Sequence, residues 1–429
     1  MGSGGGQQGA RSAGIDGRTA RSVVAGQGVE EFLDELRSQL RDRSFRPVPV
    51  RERMIPKTGG TLRRLGIPTV ADWVVQAALK LVLEPIFEAD FRPCSYGFRP
   101  KRRAHDAVAE IRYFASHSYE WVVEGDIAAC FDEISHPALV GRVRARIGDR
   151  RVLGLVKAFL KAGILGEDGL RRETTAGAPQ GGILSPLLAN IALSVLGDYV
   201  AEARGGPVSG KAERAWRQRR GLPNFRLVRY ADDWCLMVRG TQADAVRLRD
   251  QIVDVLAPMG LRLSQAKTAI THIDGGIDFL GWRIQRRRKR GSDRRFVYTY
   301  PAKKAVLAAT RKVKTLCRQV EINQPLPDLL RRVNAMLRGW CGYFRPGVSS
   351  VAFAYLSYYA WRTVWRWLRR KHRRSTRKDI RDLYCGGRWW PAHGDQELFD
   401  PAKVGTTRYR YRGSIIPSPW PSFEESRAA

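Results

Sequence analysis

The sequence lacks the features that would assign it to a membrane, secreted or zinc-binding class. No apolar run approaches the roughly 18 to 20 residues of a membrane span, and the Gly-rich start resembles a flexible leader, not a signal peptide. The six cysteines include no Cys-x-x-Cys pair, and the six histidines are scattered. A structural zinc site or a disulfide framework is therefore not expected, and we predict reduced thiols and a cytoplasmic location.

Acidic residues are also scarce. There are 42 of them against 75 Lys and Arg, which gives a formal net charge of +33. Such an excess favours a polyanionic partner, because each neutralised phosphate releases condensed counterions. Nucleic acid is the main interpretation, and a ribosome-associated or merely basic surface is the alternative. With 429 residues, of which 43% are hydrophobic, the chain is long enough for two or three domains with their own cores.

Two adjacent carboxylates interrupt an apolar stretch at 226–238. Residues of high strand propensity flank Asp232 and Asp233, so we predict two short strands with Ala-Asp-Asp at the bend between them. Neighbouring acids at a strand tip repel each other unless solvent or a cation neutralises them. The pattern therefore predicts a divalent-metal site.

A third carboxylate follows another predicted strand. Trp121 to Val123 is strand-like, and the strand ends in Asp126, with Phe131 five residues beyond it. Two cations held roughly 4 Å apart by such carboxylates would lower the pKa of a primer hydroxyl and stabilise the pyrophosphate leaving group. Asp126 is thus the residue that a two-metal site would need in addition to the adjacent pair.

Three other segments have a functional and a structural interpretation. Residues 51–67 predict a basic hairpin with a glycine tip, which suits phosphate contact but is equally consistent with a solvated surface. The glycine-rich turn at 175–182 exposes backbone that can lie against a flat or charged ligand. Lys267 could protonate a leaving phosphate oxygen, although an ordinary surface lysine is the default interpretation.

Periodicity predicts several elements. Asp72 is expected to be the N-cap of a helix over 73–87, and residues 277–284 are expected to form a strand with Gly281 at its centre. The region from Pro301 onward is helical in pattern. Within it, an aromatic stripe is interpreted as a helix core rather than a base-stacking platform, and its members are Ala354, Tyr358, Trp361, Trp365 and Leu368.

The order of these motifs is more specific than any one of them. The chain runs through the basic hairpin, Asp-Ile-x-x-x-Phe-Asp, Pro-Gln-Gly, Tyr-Ala-Asp-Asp, Leu-Ser-x-x-Lys-Thr and Phe-Leu-Gly-Trp. It resembles the bacterial group II intron reverse transcriptase/maturase family over nearly its whole length. The stretches that carry this resemblance are 55–60, 65–69, 95–100, 177–190, 263–268 and 337–344.

The resemblance implies roles for residues of this chain. Asp126, Asp232 and Asp233, with the backbone carbonyl of Ile127, would bind two Mg²⁺, with Mn²⁺ as an alternative, and Lys267 would be the general acid. The residues placed around the incoming dNTP are Arg51, Lys57, Arg63, Phe131 as the steric gate, Gln180 and Gly181. The primer grip would be Phe279, Leu280 and Gly281. The basic helical region would bind nucleic acid through Arg362, Arg366, Arg369, Arg370, Lys371, Arg373 and Arg374.

The predicted fold is α+β, a right-hand polymerase with an antiparallel palm sheet followed by an α-helical thumb. We expect a flexible leader at 1–13, fingers at 14–120, palm at 121–300, thumb/maturase domain at 301–372, and a basic DNA- and RNA-binding appendage at 373–429. The sequence contains no His-Asn-His nuclease motif with paired Cys-x-x-Cys, so cleavage of the second strand by this chain is not expected.

The resemblance implies RNA-directed DNA synthesis for a group II intron, together with maturase binding of intron RNA for splicing and retromobility. The implied partners are an intron RNA template, a DNA primer or target, and dNTPs, in the bacterial cytosol or nucleoid, without a membrane. Monomer and dimer stay open. Two alternatives also stay open: a related polymerase used in repair or phage defence, and an RNA-binding maturase with vestigial polymerase activity.

Overall fold

A computed structural model describes residues 12–56, 62–413 and 415–416. Lys57, the predicted hairpin tip at 58–60, nearly all of the predicted leader and the last part of the predicted appendage lie outside the described residues. The chain divides into two compact units. The first takes in the described residues up to Arg103 together with Trp121–Ile270, and the second takes in Ala104–Glu120 and Thr271–Gly413.

The bounds of the elements are as follows, in chain order. The helices are α1 (Ala20–Gly26), α2 (Val29–Arg41), α3 (Val70–Asp90), α4 (Ala104–Ala115), α5 (Cys130–Glu133), α6 (His136–Arg144), α7 (Arg150–Lys161), α8 (Ser185–Glu202), α9 (Lys211–Arg219), α10 (Gln242–Leu256), α11 (Lys303–Gln319), α12 (Leu326–Phe344), α13 (Ser350–Lys371) and α14 (Arg377–Cys385). The strands are β1 (Val50–Pro56), β2 (Leu62–Ile67), β3 (Trp121–Asp126), β4 (Ile164–Leu165), β5 (Arg171–Arg172), β6 (Asn224–Tyr230), β7 (Asp233–Arg239), β8 (Ala269–His272), β9 (Ile277–Phe279), β10 (Trp282–Arg288), β11 (Arg295–Pro301), β12 (Ala392–His393) and β13 (Gln396–Glu397).

The sheet that matters for function has the strand order β6-β7-β3-β8. Strands β6 and β7 are antiparallel, and β3 pairs antiparallel with β7. Strand β7 is buried from Trp234 to Val238, which explains its nearly continuous apolar sequence. The predicted pair of strands around Ala-Asp-Asp is confirmed, and so is the α+β fold class.

The apolar core of the first unit lies under this sheet. Helix α8 is buried on almost every side, including Leu188, Ile191 and Leu196, because its sequence is apolar all round. Helix α10 contributes Leu248 and Ile252 to the same core cluster. The sheet therefore packs on a hydrophobic core, which can hold the polar side chains at its strand ends in place.

A second sheet of this unit contains the basic hairpin. Strands β1 and β2 pair antiparallel from Arg51–Ile67 to Pro56–Leu62, as the sequence predicts. The hairpin is extended by a short parallel pairing of β1 with β4. After it, α3 begins at Val70, and its N-cap is Thr69, not Asp72. The Thr69 hydroxyl accepts the Asp72 backbone N–H, so Asp72 occupies the third helical position, where a carboxylate still complements the helix dipole.

The second unit joins a three-stranded sheet, ordered β11-β10-β9, to a helical bundle. The single strand predicted over 277–284 is wrong. Leu280 and Gly281 have φ of +49° and +81°, so the chain turns there and β9 pairs back on β10 with Phe279 opposite Trp282. Two successive positive φ values give the tight turn that suits the twist of a hairpin.

The aromatic stripe of α13 is only partly a core. Trp365 and Leu368 are buried, but Tyr358 is 56% exposed, and Ala354 is exposed as well. The buried face lies one position away, on a second four-three ladder that runs through Phe353, Leu356, Ala360, Val364 and Trp367. None of the described helices is both long and apolar enough to cross a membrane.

Candidate active site

The three predicted metal-binding carboxylates meet at one end of the β6-β7-β3 sheet. Strand β3 ends at Asp126 and β7 begins at Asp233, and the strand register pairs these two residues directly. Asp232 precedes Asp233 in the turn that links β6 to β7. The structure thus brings together residues that are more than 100 positions apart, as the sequence analysis proposed.

These carboxylates repel one another. Burial, followed by the negative charges of Asp232 and Asp126, raises the pKa of Asp233 to about 6, and Lys267 opposes the rise. Lys267 forms an ion pair with the Asp126 carboxylate, and this bond raises the pKa of the Lys267 ammonium. One ammonium therefore faces three carboxylates, which leaves an excess of negative charge at the strand tips.

Backbone hydrogen bonds bring Lys267 to this position. The Ser264 N–H donates to the Asp126 carbonyl at 2.8 Å, and the Ala128 N–H donates to the Arg262 carbonyl at 2.9 Å. Ile127 forms an antiparallel bridge with Leu263 between these bonds. The segment at 262–268 is thereby fixed beside Asp126. The position of Lys267 is therefore set by backbone pairing of this segment and not by the flexibility of its long side chain.

The turn before Asp232 is conformationally unusual. Ala231 has φ of +57°, a left-handed conformation that L-residues rarely adopt. On the neighbouring strand, a Cβ at Gly125 would overlap the Trp234 ring. The absence of a side chain there lets β3 lie close against β7 next to the carboxylates.

The donor set is suited to a divalent cation. Carboxylate and carbonyl oxygens are the ligands that Mg²⁺ and Mn²⁺ prefer. Burial raises the pKa of Asp233, and so do the negative charges of Asp232 and Asp126, which a cation would balance. In the part of the chain that the structure describes, no three His, Cys, Asp or Glu side chains are already arranged as a metal-binding group. At Asp126, the Lys267 ammonium is the counterion of the carboxylate.

Two of the predicted dNTP-binding elements touch each other. The Gly66 N–H of β2 donates to the Gln180 carbonyl at 2.6 Å. Gly181 has φ of +120°, and a Cβ there would overlap the Gly66 carbonyl. The glycine-rich turn thus needs Gly181 both for its backbone conformation and for its close approach to the hairpin.

The other predicted dNTP-binding residues differ from one another in burial and in hydrogen bonding. Phe131 lies in α5, partly buried at the edge of the core, and its carbonyl accepts the Ala178 N–H at 2.7 Å. Arg51 is half-buried, and its buried Nε has no hydrogen-bond partner among the described atoms. Arg63 is exposed towards the hairpin tip, and Lys57 lies outside the described residues.

The predicted primer grip and basic cluster belong to the second unit. Phe279, Leu280 and Gly281 form the β9–β10 turn, where the Tyr343 hydroxyl donates to the Leu280 carbonyl at 2.8 Å. Lys371 is engaged structurally, because its ammonium donates to the carbonyls of Ile322 and Gln324 at 2.7 and 3.0 Å. The remaining predicted cations of this cluster are exposed, namely Arg362, Arg366, Arg369, Arg370, Arg373 and Arg374.

An open groove of about 530 Å³ lies along α11 and α13 in this unit. Six cations line it, and no carboxylate is among the described residues at its wall; the cations are Lys314, Arg318, Arg366, Arg369, Arg370 and Arg373. Lys314 and Arg318 were missed at the sequence level, although their i, i+4 spacing on a helix would have identified them as one basic face.

Arg229 was missed as well. It is one residue before Tyr230, and its side chain is 1% exposed. In the sequence it is one residue of the predicted strand before the acidic pair. An arginine between apolar strand residues, three positions before an acidic pair, is a signal that could have singled it out, since arginine is almost never fully buried without a hydrogen-bonded role.

Comparisons with known proteins identify the families that this chain matches. The family model for reverse transcriptase (RNA-dependent DNA polymerase) matches residues 55–284, and the group II intron maturase-specific domain matches residues 306–385. Protein YkfC of Escherichia coli is 39% identical over 70% of this chain and 82% of its own length. The group II intron-encoded protein LtrA of Lactococcus lactis is 32% identical over 71% of this chain.

The chain spans 56% of the length of LtrA. Among solved structures, telomerase from Candida albicans matches with a TM-score of 0.44 and 11% identity over 83% of this chain and 67% of that chain, a likeness too low to support an argument. The reverse transcriptase match covers more than half of the chain, and YkfC is matched over most of its length. The chain therefore belongs to the reverse transcriptase family of RNA-directed DNA polymerases and carries the maturase-specific domain of group II intron proteins.

Proposed function

We propose that Asp126, Asp232 and Asp233 are the metal-binding residues at which this chain extends a DNA primer with dNTPs on an RNA template. Reverse transcriptases depend on divalent metal ions, and we assign two Mg²⁺ to this site, with Mn²⁺ as an alternative and the Ile127 carbonyl as a further ligand. Bound ions of this kind lower the pKa of a primer 3′-hydroxyl and stabilise charge on the leaving pyrophosphate.

The protein's own residues supply positioning and proton transfer. Asp126 and Asp233 come from two paired strands on a buried core, and Asp232 directly precedes Asp233 in the turn, so the three aspartates can be held in a fixed arrangement without reorganisation. Lys267, which is protonated beside Asp126, is placed to give a proton to a leaving phosphate oxygen. Gln180 and Gly181 hold the hairpin against the glycine-rich turn through Gly66, where we place the incoming dNTP, and Phe131 is assigned as the gate against a 2′-hydroxyl.

The observation that carries this proposal is the direct strand pairing of Asp126 with Asp233 next to Asp232. It is tested by primer extension on an RNA template with dNTPs and Mg²⁺. Asp232→Ala is expected to lose nearly all incorporation, whereas Asp250→Ala on the exposed surface of α10 is the matched control and should retain it. Equal incorporation by wild type and Asp232→Ala would show that the site assignment is wrong.

We further propose that the second unit binds structured intron RNA as a maturase, in support of splicing and retromobility. The groove between α11 and α13, with six cations at its wall, supports phosphate contacts read through shape and backbone. The match to the maturase-specific domain at 306–385 supports the same assignment. Lys371 is left out of this group because its ammonium is already engaged.

The RNA-binding proposal is tested by the salt dependence of RNA affinity. Arg366→Gln and Arg369→Gln should each reduce the slope of log affinity against log salt by about one. Arg331→Gln is the control, since Arg331 is an exposed cation of the same unit that is already paired with Asp328. An affinity that does not depend on salt would contradict electrostatic binding in the groove.

The wider biological setting is also part of the proposal. The proposed partners are an intron RNA template, a DNA primer or target, and dNTPs. Because these molecules occur together in the bacterial cytosol or nucleoid, we propose that the activity is located there. The similarity to LtrA, a group II intron-encoded protein, supports the intron assignment. We also propose that the fingers, palm, thumb and basic appendage follow the boundaries predicted from the sequence.

A further inference from the structure

Arg229 is a buried cation next to the Asp232–Asp233 turn. It lies in β6 with 1% of its surface exposed, and its guanidinium bonds to neutral oxygens, not to a carboxylate. Burial lowers the pKa of the Arg229 guanidinium to about 10, so the group is charged at neutral pH. Because removing a charge from water is costly without close partners, its hydrogen bonds must offset a substantial desolvation cost.

The guanidinium donates to three separate segments. Nη1 donates to the Ala231 carbonyl and to the Asn190 Oδ1, each at 3.0 Å, and Nη2 donates to the Ser95 hydroxyl at 2.7 Å. Ala231 belongs to the turn, Asn190 to α8, and Ser95 to the loop before α4. One planar, rigid fork therefore ties three motifs together, which a lysine could not do.

The same segments contact each other around the turn. The Asn190 amide donates to the Gly97 carbonyl at 2.9 Å, and a Cβ at Gly97 would overlap the backbone nitrogen of Ala231. The backbone of Arg229 pairs with the loop as well, through Cys94 and Tyr96 at 2.8 Å. The backbone of the left-handed Ala231 thus lies tightly against Gly97, and its carbonyl is held by Arg229.

We propose that Arg229 is a positioning residue of the polymerase site, which fixes the Ala231–Asp232–Asp233 turn so that its two carboxylates are pre-arranged for divalent cations. The inference rests on the proposed function of Asp232 and Asp233. Arg229 acts through the Ala231 carbonyl and does not itself contact substrate. Ser95 and Asn190 orient the guanidinium, which gives a role to the two family-like motifs that contain them.

The test compares Arg229→Lys with Arg99→Lys. Arg99 is the matched control because it is buried to a similar degree, at 6% exposed, and lies in the loop that contains Ser95. Its guanidinium bonds to Glu88 and to the backbone carbonyls of Arg92 and Ser95, not to the turn. Two quantities are measured on the full chain: Mn²⁺ bound in the absence of substrate, by electron paramagnetic resonance, and kcat with KM for dNTP.

Arg229→Lys is expected to weaken Mn²⁺ binding and lower kcat by about tenfold to a hundredfold, as for other partners that orient metal ligands. Its KM for dNTP should stay within about twofold, since Arg229 does not touch the nucleotide. Arg99→Lys should lower the melting temperature while Mn²⁺ binding and kcat of the folded protein are unchanged. Ser95→Ala, which removes one acceptor of the fork, should give a smaller loss in the same direction.

Wild-type Mn²⁺ affinity in Arg229→Lys would overturn the inference, and so would an equal loss in Arg99→Lys. If Arg229→Lys does not fold, Ser95→Ala decides, and wild-type Mn²⁺ affinity and kcat in that variant would count against the inference. An Asp232→Ala arm separates the two proposals. Full polymerase activity in Asp232→Ala refutes the proposed function, whereas loss of activity there with no effect of Arg229→Lys refutes only the role of Arg229.

Discussion

Replacement of Lys267 separates its two roles, counterion and proton donor. The Lys267 side chain is 68% exposed and Asp126 is 18% exposed, so the ion pair is worth only about 0.5 kcal/mol after solvent screening. We therefore expect Lys267→Met to lower the melting temperature by about 1 to 2 °C. Loss of a general acid has a larger effect, and kcat should fall about a hundredfold.

The same substitution should strengthen metal binding. The Lys267 ammonium holds the Asp126 carboxylate and would compete with a cation for it. In Lys267→Met the Mg²⁺ concentration for half-maximal activity should fall although kcat falls too. Damage to Asp126 itself would instead raise that concentration, so a Mg²⁺ titration of primer extension distinguishes the two.

Lys267→Arg distinguishes the charge of Lys267 from its role as a proton donor. It keeps the positive charge beside Asp126, but a guanidinium does not release its proton in this range, so kcat should stay low while stability is restored. Arg262→Gln removes another exposed ion pair of the same segment, to Glu133, and should leave kcat unchanged. A kcat for Lys267→Arg within twofold of wild type would refute the general-acid assignment.

Two further predictions concern the gate and a buried carboxyl. Phe131→Ala should increase ribonucleotide incorporation relative to dNTP by at least about tenfold, measured by competition on one template, and unchanged discrimination would remove the gate assignment. Burial raises the pKa of Asp72 to about 6 from 3.8, so the stability that its protonated form contributes is present below about pH 4 and lost as pH rises through 6. Asp72→Asn should consequently stabilise the fold by on the order of 1 to 2 kcal/mol above pH 6 and not near pH 4. Thermal unfolding of both proteins across this pH range measures the effect. A difference in stability that does not change with pH would contradict the assigned burial effect.

The sequence was sufficient for the parts of the site that depend on local pattern. The strand-bend-strand around Asp232 and Asp233 follows from flanking β-branched and aromatic residues. The order of the motifs pointed to the family, which the family models confirm. Metal binding by Asp126 together with Asp232 and Asp233 remains a prediction. The pairing of β3 with β7 shows how the fold brings Asp126 beside Asp233.

The parts that could not be predicted depend on contacts between distant segments. The Lys267–Asp126 ion pair arises from backbone pairing of 262–264 with 126–128, which no periodicity reveals. The exposed Tyr358 was misassigned because two four-three ladders lie side by side on α13, and packing alone decides which one is buried. Asp72 was taken for a cap because both Thr and Asp cap helices well, and the one three residues earlier is used.

The central claim is that Asp126 belongs to one catalytic site with Asp232 and Asp233. Its most direct test is the single-turnover rate of dNTP incorporation by Asp126→Asn, with Asp250→Asn as the control that makes the same charge change on the exposed surface of α10. We predict a loss of roughly a thousandfold for Asp126→Asn, equal to about 4 kcal/mol of transition-state stabilisation, and a near wild-type rate for Asp250→Asn. A near wild-type rate for Asp126→Asn would contradict the account.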